Sequence, residues 1–334
     1  MKTKIRAPEL EGADIWFNSE PLSIKDLRGK VVLVDFWTYT CVNCLRTLPF
    51  VKEWHKRYED KGLVVIGVHT PEFRFEKESA NLERFIKNAD IEYPVVMDNY
   101  NQIWNRFATK YWPSKYLIDA DGYIRYNHFG EGAYARTEEM IQQLIKDINP
   151  ALELGPISEL AAKEEAGKVC YSTTPETYTG YALGALGNLD KKYDRVFEFE
   201  DTETHYEGRY YLSGTFEIEP GFVRHARRTE TPGEDYLSLY FKSFEVNVVM
   251  KAAVDEEFLV YLELDDRPID KSIKGNDVQY DFEGRSYVKV TEPRMFNLIQ
   301  NTNLLTHKLK LMSVSDQLEL YAFTFGACAK ELAA

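Results

Sequence analysis

Two cysteines separated by two residues, Cys41-Val42-Asn43-Cys44, are the part of this chain best suited to chemistry. They follow the run Val31-Val32-Leu33-Val34-Asp35-Phe36-Trp37-Thr38-Tyr39-Thr40, whose near-continuous apolar stretch predicts a buried strand. They precede Leu45 to His55, where apolar residues recur at helical spacing. A cysteine pair at a strand-to-helix junction can close a small disulfide ring. Free N–H groups and the helix dipole there stabilise a thiolate on the first sulfur. The thiolate is the nucleophile of disulfide exchange, and an ordinary cysteine, with a pKa of about 8.5, is only slightly ionised at pH 7. Lowering that value by about 1.5 units takes only about 2 kcal/mol. The spacing therefore assigns Cys41 as the attacking nucleophile. Cys44, one turn in and deeper, is the resolving thiol.

Other uses of the pair are weaker. A structural zinc site needs two further ligands, whereas the other two cysteines, Cys170 and Cys328, are distant singles and the six histidines are scattered. No metal is expected, and no cofactor beyond the Cys41–Cys44 couple itself. Asp35 strengthens the redox reading. An aspartate in an apolar strand is costly to bury, and burial raises its pKa. That makes Asp35 a candidate proton acceptor for Cys44; the alternative is a strand-end carboxylate bonded to backbone.

These residues resemble a family. Val34-Asp35-Phe36-Trp37, the six-residue step from Asp35 to Cys41, and Pro49 eight residues after Cys41 match the thioredoxin pattern. The stretch Thr38 to Pro49 departs from its usual Trp-Cys-Gly-Pro-Cys and is more similar to the TlpA-like branch. It is most similar to the soluble C-terminal part of DipZ-type proteins. Gly67-Val68-His69-Thr70-Pro71-Glu72-Phe73, Trp112-Pro113-Ser114-Lys115-Tyr116-Leu117-Ile118-Asp119 and Thr174-Pro175-Glu176-Thr177-Tyr178-Thr179-Gly180-Tyr181 extend the resemblance over most of the chain. It implies a cis Pro113 facing the cysteines, with the Trp112 backbone pairing with an extended substrate strand. The Trp112 ring would wall that groove, unless it packs into the core. DipZ-type proteins carry a membrane electron-transfer half that this chain lacks, which implies an electron-transfer partner in trans, a reductase or membrane thiol carrier.

The elements that must position these residues alternate between strand and helix. Leu63 to Val68 and Tyr93 to Met97 read as strands, and Glu72 to Ala89, Ile103 to Thr109 and Thr137 to Ile148 as helices. Lys115 to Asp119 and Tyr123 to His128 form a hairpin through Asp121-Gly122. Ile15 to Leu22 reads as a further short hairpin. The expected architecture is an α/β thioredoxin-like domain, a central, mostly parallel mixed sheet flanked by helices. Sites in such sheets lie at the C-terminal ends of strands, which brings His69 towards the thiols as a modulator or a structural residue. Glu131, in the loop Gly130-Glu131-Gly132, is a second modulator candidate, or a solvated loop charge.

The pattern breaks after Asn149, with Pro150 and Gly155-Pro156. The expected domains are 1–150 (redox domain), 151–169 (linker) and 170–334. In the last, short aromatic or β-branched segments separated by turns such as Pro220-Gly221 and Glu283-Gly284 predict a β-sandwich of jelly-roll type. The resemblance implies a carbohydrate-binding-module-like domain with a sugar or peptide ligand. However, Tyr178, Tyr181, Tyr210 and Tyr211 read more readily as core than as a platform, and no tryptophan follows Trp112. Cys170 opens this domain and Cys328 closes it. Two buried free thiols are favoured over a bridge.

The chain has 334 residues, 44% hydrophobic and 28% charged, with a formal net charge of −13. That balance suits two globular domains and disfavours nucleic acid or an anionic membrane surface as partner. No apolar stretch reaches membrane-span length, and no apolar h-region follows Met1-Lys2-Thr3-Lys4. The location expected is cytoplasmic as written, and extracytoplasmic if the chain is an excised fragment. The leading function is a thiol–disulfide oxidoreductase acting on protein cysteines, with the reductant direction favoured by analogy. The alternatives are a disulfide oxidase or isomerase, peroxide reduction, and a ligand-binding protein whose β-domain carries the function.

Overall fold

The structure, a computed structural model, describes residues 5–330 except 14, 165–167, 203, 255 and 301–302. The chain divides into two compact units, Met1–Gly167 and Lys168–Ala334.

The first unit is built on strands β1 (Ile5–Arg6), β2 (Trp16–Phe17), β3 (Val31–Trp37), β4 (Leu63–His69), β5 (Val95–Met97), β6 (Ser114–Ile118) and β7 (Tyr123–Phe129). Helices α1 (Val42–Tyr58), α2 (Ser79–Asn88), α3 (Gln102–Arg106), α4 (Tyr134–Ile148) and α5 (Glu159–Glu164) complete it. The sheet order is β1-β7-β6-β3-β4-β5-β2. Only β3–β4 and β4–β5 pair in parallel; the β6–β7 hairpin and the edge strands are antiparallel. The sheet is mixed, as expected, with fewer parallel pairs than expected because the hairpin inserts β6 beside β3. Ile15 to Leu22 makes no hairpin: Trp16–Phe17 pairs with β5 as an edge strand. β3 lies between β4 and β6 and is buried along its whole length. Its Val32, Val34 and Phe36 join Ile66, Val68, Val96, Ile103 and Phe107 in one apolar layer. The alternation of a strand puts Leu33, Asp35 and Trp37 on the opposite face.

α1 buries Cys44, Thr47, Phe50, Val51, Trp54 and Tyr58, one stripe at three- and four-residue spacing. α4 is tied to it by the fully buried Glu138. That carboxylate accepts from Trp54 Nε1 (3.3 Å) and Tyr58 Oη (2.7 Å), and from the Ser158 amide (3.1 Å) and hydroxyl (2.7 Å). The stretch set apart by sequence as a linker from residue 151 therefore packs on this unit as far as α5, with Leu154 and Ala161 buried.

The second unit contains β8 (Lys168–Cys170), β9 (Thr177–Tyr178), β10 (Val196–Phe199), β11 (Tyr210–Ile218), β12 (Val223–His225), β13 (Tyr236–Lys242), β14 (Glu245–Ala252) and β15 (Phe258–Leu264). It continues with β16 (Arg267–Pro268), β17 (Gln279–Tyr280), β18 (Ser286–Val290), β19 (Arg294–Gln300), β20 (Thr306–Ser313), β21 (Leu318–Gly326) and β22 (Cys328–Lys330). The row β18-β15-β20-β13 and the row β12-β21-β14-β19 follow one hydrogen-bonded path. Their inner side chains, among them Leu239, Val260 and Leu311 from one row and Val248, Phe296 and Leu320 from the other, form a single apolar cluster. That strand order is a jelly roll. β11 belongs to both layers, pairing with β13 through Tyr210–Ser213 and with β12 through Phe216–Ile218. Between them Gly214 has φ +100°, and a Cβ there would lie 2.1 Å from the Asp235 carboxyl carbon, so the bend requires glycine. Tyr210 and Tyr211 are buried, whereas Tyr181 is exposed.

Cys170 and Cys328 stand directly opposite each other in the β8–β22 ribbon and form a disulfide, with Cys170 exposed. This corrects the expectation of two buried thiols. Closure of the sandwich brings its first and last strands into antiparallel register, a relation that no local pattern encodes. The bridge spans a sequence separation of 158 residues, worth about 5 kcal/mol in the chain-entropy account. Replacing both cysteines by serine should lower the unfolding free energy of the second unit, read by urea titration, by an amount of that order. Far-UV circular dichroism reports both units together. Fluorescence of the five tryptophans, all before residue 113, follows the first and should not move.

Candidate active site

Cys41 is the N-cap of α1, with extended backbone (φ −82°, ψ 114°). Its Sγ accepts the Cys44 amide proton at 3.3 Å, so a first-turn N–H of the helix points at the sulfur. Cys41 is partly exposed and Cys44 is buried, and both thiols are free. Burial, then the neighbouring Cys41 sulfur, pushes the Cys44 thiol well above its ordinary value; the charge of Asp35 acts in the same sense. One sulfur is thus reachable and the other is held protonated behind it.

Beneath the pair lies a charged couple. Asp35 on β3 stands opposite Lys115 on β6 in register, so their side chains share a face of the sheet. Burial raises Asp35 to about 6, although the Lys115 charge pulls the other way. Burial lowers Lys115, while the charges of Asp35, Cys44, Glu131 and Cys41 favour its ammonium. Lys115 Nζ donates to the Gly130 carbonyl at 3.3 Å. A proton on Asp35 near neutral pH is therefore poised rather than fixed.

The loop that carries Cys41 is held from behind by Glu76. This fully buried carboxylate accepts from the Thr38 and Thr40 hydroxyls (2.5 Å each) and from the amides of Glu72 (2.6 Å) and Phe73 (2.8 Å). Its pKa is raised by burial, and these same four hydrogen bonds oppose that rise. His69 is fully buried, at the end of β4, and burial lowers it to about 3, so its ring is neutral. Thr38 gives its only hydroxyl proton to Glu76, so His69 Nε2 (3.3 Å) is the donor to Thr38. The imidazole also stacks on Tyr39 and meets Trp37 edge-on. His69 thus reaches the cysteine loop through Thr38 and makes no hydrogen bond to either sulfur among the described residues.

The Trp112–Pro113 bond is cis. The Trp112 ring is half-buried and lies tilted against Trp104, 4.4 Å between centroids and 36° between planes, so much of it is packed against α3. Gly130 N–H donates to the Pro113 carbonyl at 2.8 Å, which joins the cis-proline turn to the 130–132 loop. In that loop Glu131 meets Arg46 of α1 at 3.5 Å. Cys41, Cys44, Asp35 and Glu131 thereby surround Lys115, and Trp112-Pro113 immediately precede the strand that bears it.

Sequence reasoning passes over three buried residues of this region: Glu76, Lys115 and Tyr93. Glu76 sits in a stretch that alternates charge with apolar residues and reads as a solvated helix face. Lys115 did carry a signal, a charge inside the apolar run Tyr116-Leu117-Ile118, which is the argument that singled out Asp35. No cluster of three or more His, Cys, Asp or Glu side chains able to hold a metal occurs among the described residues.

Glu76→Gln should turn an acceptor into a donor facing hydroxyl and amide donors, at a cost of about 1–3 kcal/mol. Urea unfolding of the first unit measures that loss. Thr40→Ser should retain wild-type stability, and Thr40→Val should lose about 1 kcal/mol.

Residues 4–127 match the AhpC/TSA family, and residues 174–326 match the thioredoxin-like C-terminal domain family. Protein DipZ of Mycobacterium bovis, and equally that of Mycobacterium tuberculosis, is 44% identical over 177 residues, covering 52% of this chain and 25% of the relative. The chain thus spans about a quarter of those relatives. Thiol-disulfide oxidoreductase YkuV of Bacillus subtilis is 26% identical over 147 residues, covering 44% of this chain and 99% of that protein. By its motif, its fold and these matches, the chain resembles DipZ over about half its length, with a thioredoxin-like first unit followed by a unit that matches the thioredoxin-like C-terminal domain family.

Proposed function

We propose that this chain is a thiol–disulfide oxidoreductase that reduces disulfides in other proteins. The observation that carries the reading is the sulfur pair itself: a partly exposed Cys41 at a helix start, meeting a helix amide, with a buried Cys44 behind it and a buried Asp35 close by. The Cys41 thiolate attacks a substrate disulfide, forming a Cys41–substrate bond and releasing one substrate thiolate, which takes a proton from solvent. Cys44 then gives its proton to Asp35 and attacks Cys41 Sγ. The Cys41–Cys44 disulfide forms, the second substrate thiolate leaves, and two electrons have passed to the substrate. Trp112 and Pro113 supply the backbone against which an extended substrate segment lies, and Glu131 adjusts the charge around Lys115. His69 acts by supporting the Thr38 side of the loop.

Each cycle leaves the couple oxidised, so an electron-transfer partner must re-reduce it. The cysteine couple serves as the redox group without a cofactor. The Cys170–Cys328 bridge suits an oxidising compartment and supports an extracytoplasmic setting. No helix among the described residues is long and apolar enough to cross a membrane. The functional division follows 1–150 for the redox domain and 170–334 for a β-domain that takes a sugar or peptide.

The equilibrium potential of the Cys41–Cys44 couple against glutathione tests the direction. A value near −270 mV or below fits a reductant; a value near −120 mV would mean a disulfide donor instead. Cys41→Ser should abolish exchange, whereas Cys44→Ser should trap the mixed disulfide, seen by mass. Asp35 accepts a proton only when ionised, and its pKa is raised to about 6. Resolution should therefore quicken as pH rises through 6 and then level off. Asp35→Asn should remove that limb and slow the step about 10²-fold.

A further inference from the structure

Thr38, the residue after β3, lies against both cysteines. Its carbonyl accepts the Cys41 amide proton at 3.4 Å. Its own N–H hydrogen-bonds the Cys44 sulfur. Burial pushes the Cys44 thiol up, as does the neighbouring Cys41. The Thr38 N–H pulls the other way, because a hydrogen bond to a thiolate favours the charged form. The other titratable groups that act with Cys44 are Asp35 from β3, Lys115 from β6 and Tyr93 ahead of β5.

The side chain of Thr38 fixes that backbone. It is fully buried. Its hydroxyl donates to Glu76 Oε1 at 2.5 Å and accepts from His69 Nε2 at 3.3 Å. Both partners are themselves held. The other oxygen of Glu76 accepts from the Glu72 and Phe73 amides, and the His69 ring packs on Tyr39 and Trp37. Three segments, the ends of β3 and β4 and residues 72–76, thus converge on one hydroxyl that donates one hydrogen bond and accepts another. Valine has the same branched shape and would suit the end of a buried apolar strand, but it can do neither. What the hydroxyl adds is a backbone donor held in advance at a sulfur that gains negative charge during resolution. Such a donor needs no reorganisation at the moment of reaction.

We propose that Thr38 sets the rate at which Cys44 resolves the mixed disulfide, its hydroxyl pinned by Glu76 and His69 so that its N–H stays on the Cys44 sulfur. The inference rests on the reading of Cys41 as nucleophile and Cys44 as resolving thiol. Thr38 touches a reacting atom through its backbone. Glu76 and His69 are positioning residues that act through Thr38. During resolution Cys44 Sγ gives its proton to Asp35 and attacks Cys41 Sγ. The bond from Cys41 to the substrate sulfur breaks, and the substrate thiolate leaves with the electron pair. The Thr38 N–H steadies the charge on Cys44 until the new sulfur–sulfur bond has formed.

The test uses the full chain, reduced at Cys41 and Cys44 with the Cys170–Cys328 bridge intact, and dithiobis(nitrobenzoate) as the disulfide. Its coloured thiolate is released once at Cys41 capture and once at resolution, so stopped-flow reads both steps. The variants are Thr38→Val, Thr38→Ala and Thr38→Ser. A hydrogen bond to a charged group is worth about 10-fold in rate. The ratio of resolution to capture should therefore fall about 10-fold in the valine and alanine variants and return towards wild type in Thr38→Ser, which keeps the hydroxyl. The pH limb near 6 should remain, since it belongs to Asp35, so the loss appears in the plateau above it. Thr38→Ala sets no methyl against Glu76 and decides if the valine variant does not fold. Glu76→Gln should lower the ratio in the same direction, and it decides if neither Thr38 variant folds. A wild-type ratio in a folded variant, whether both rates fall together or neither does, overturns the proposal and leaves the roles of Cys41 and Cys44 standing. A wild type that releases no second thiolate, and so behaves as Cys44→Ser does, overturns the reading beneath it.

Discussion

The first unit depends on the burial of charge under a helix start. Asp35, Lys115 and Cys44 lie together on the face of the sheet that α1 covers, where water does not screen them. Burial penalises the charged form of each. The result is a carboxyl raised to about 6, a thiol held protonated and an amine eased towards neutrality, beside a partly exposed sulfur. Buried opposite charges facing each other across a sheet are weak evidence for stability, so the place of Asp35 and Lys115 beneath the cysteines points to the site rather than to the core.

The scaffold serves that couple in layers. β3 is sheathed on both sides by β4 and β6, so the residue after its end is delivered to a fixed place. Glu76 then clamps Thr38 and Thr40 on either side of Tyr39, and the first turn of α1 meets the sulfur of Cys41. Glu138 locks α4 to the far end of α1. The two carboxylates are buried for a similar reason: each gathers donors from segments that a purely apolar contact would leave free to slide. The second unit uses a different device, a closed sandwich stapled by Cys170–Cys328, and its own core does not depend on the redox face.

Much of this was legible in the chain. The pattern from Val31 to His55 identified β3, the cysteine loop and α1, because an apolar strand followed by a helical stripe has few other readings. The even spacing of short strands and turns after residue 170 identified the sandwich. The single aspartate in an apolar run marked Asp35. What escaped notice was long-range. The insertion of β6 antiparallel to β3 left the expected mixed sheet with fewer parallel pairs and placed Lys115 opposite Asp35. Glu76, 35 residues beyond Cys41 in the chain, reads as one charge among many in its own segment.

The sequence by itself determined which residues are candidates for disulfide exchange, the element type around them and the two-part organisation, since motif spacing and hydrophobic periodicity are local properties. Only the tertiary structure decided that Cys170 and Cys328 are joined, that Glu76 grips the cysteine loop, and that Lys115 stands opposite Asp35 in the sheet. Each of these is a contact between segments far apart in the chain, set by strand register and chain closure, and a charge or hydroxyl shows its partner only once folding has removed the water that otherwise satisfies it.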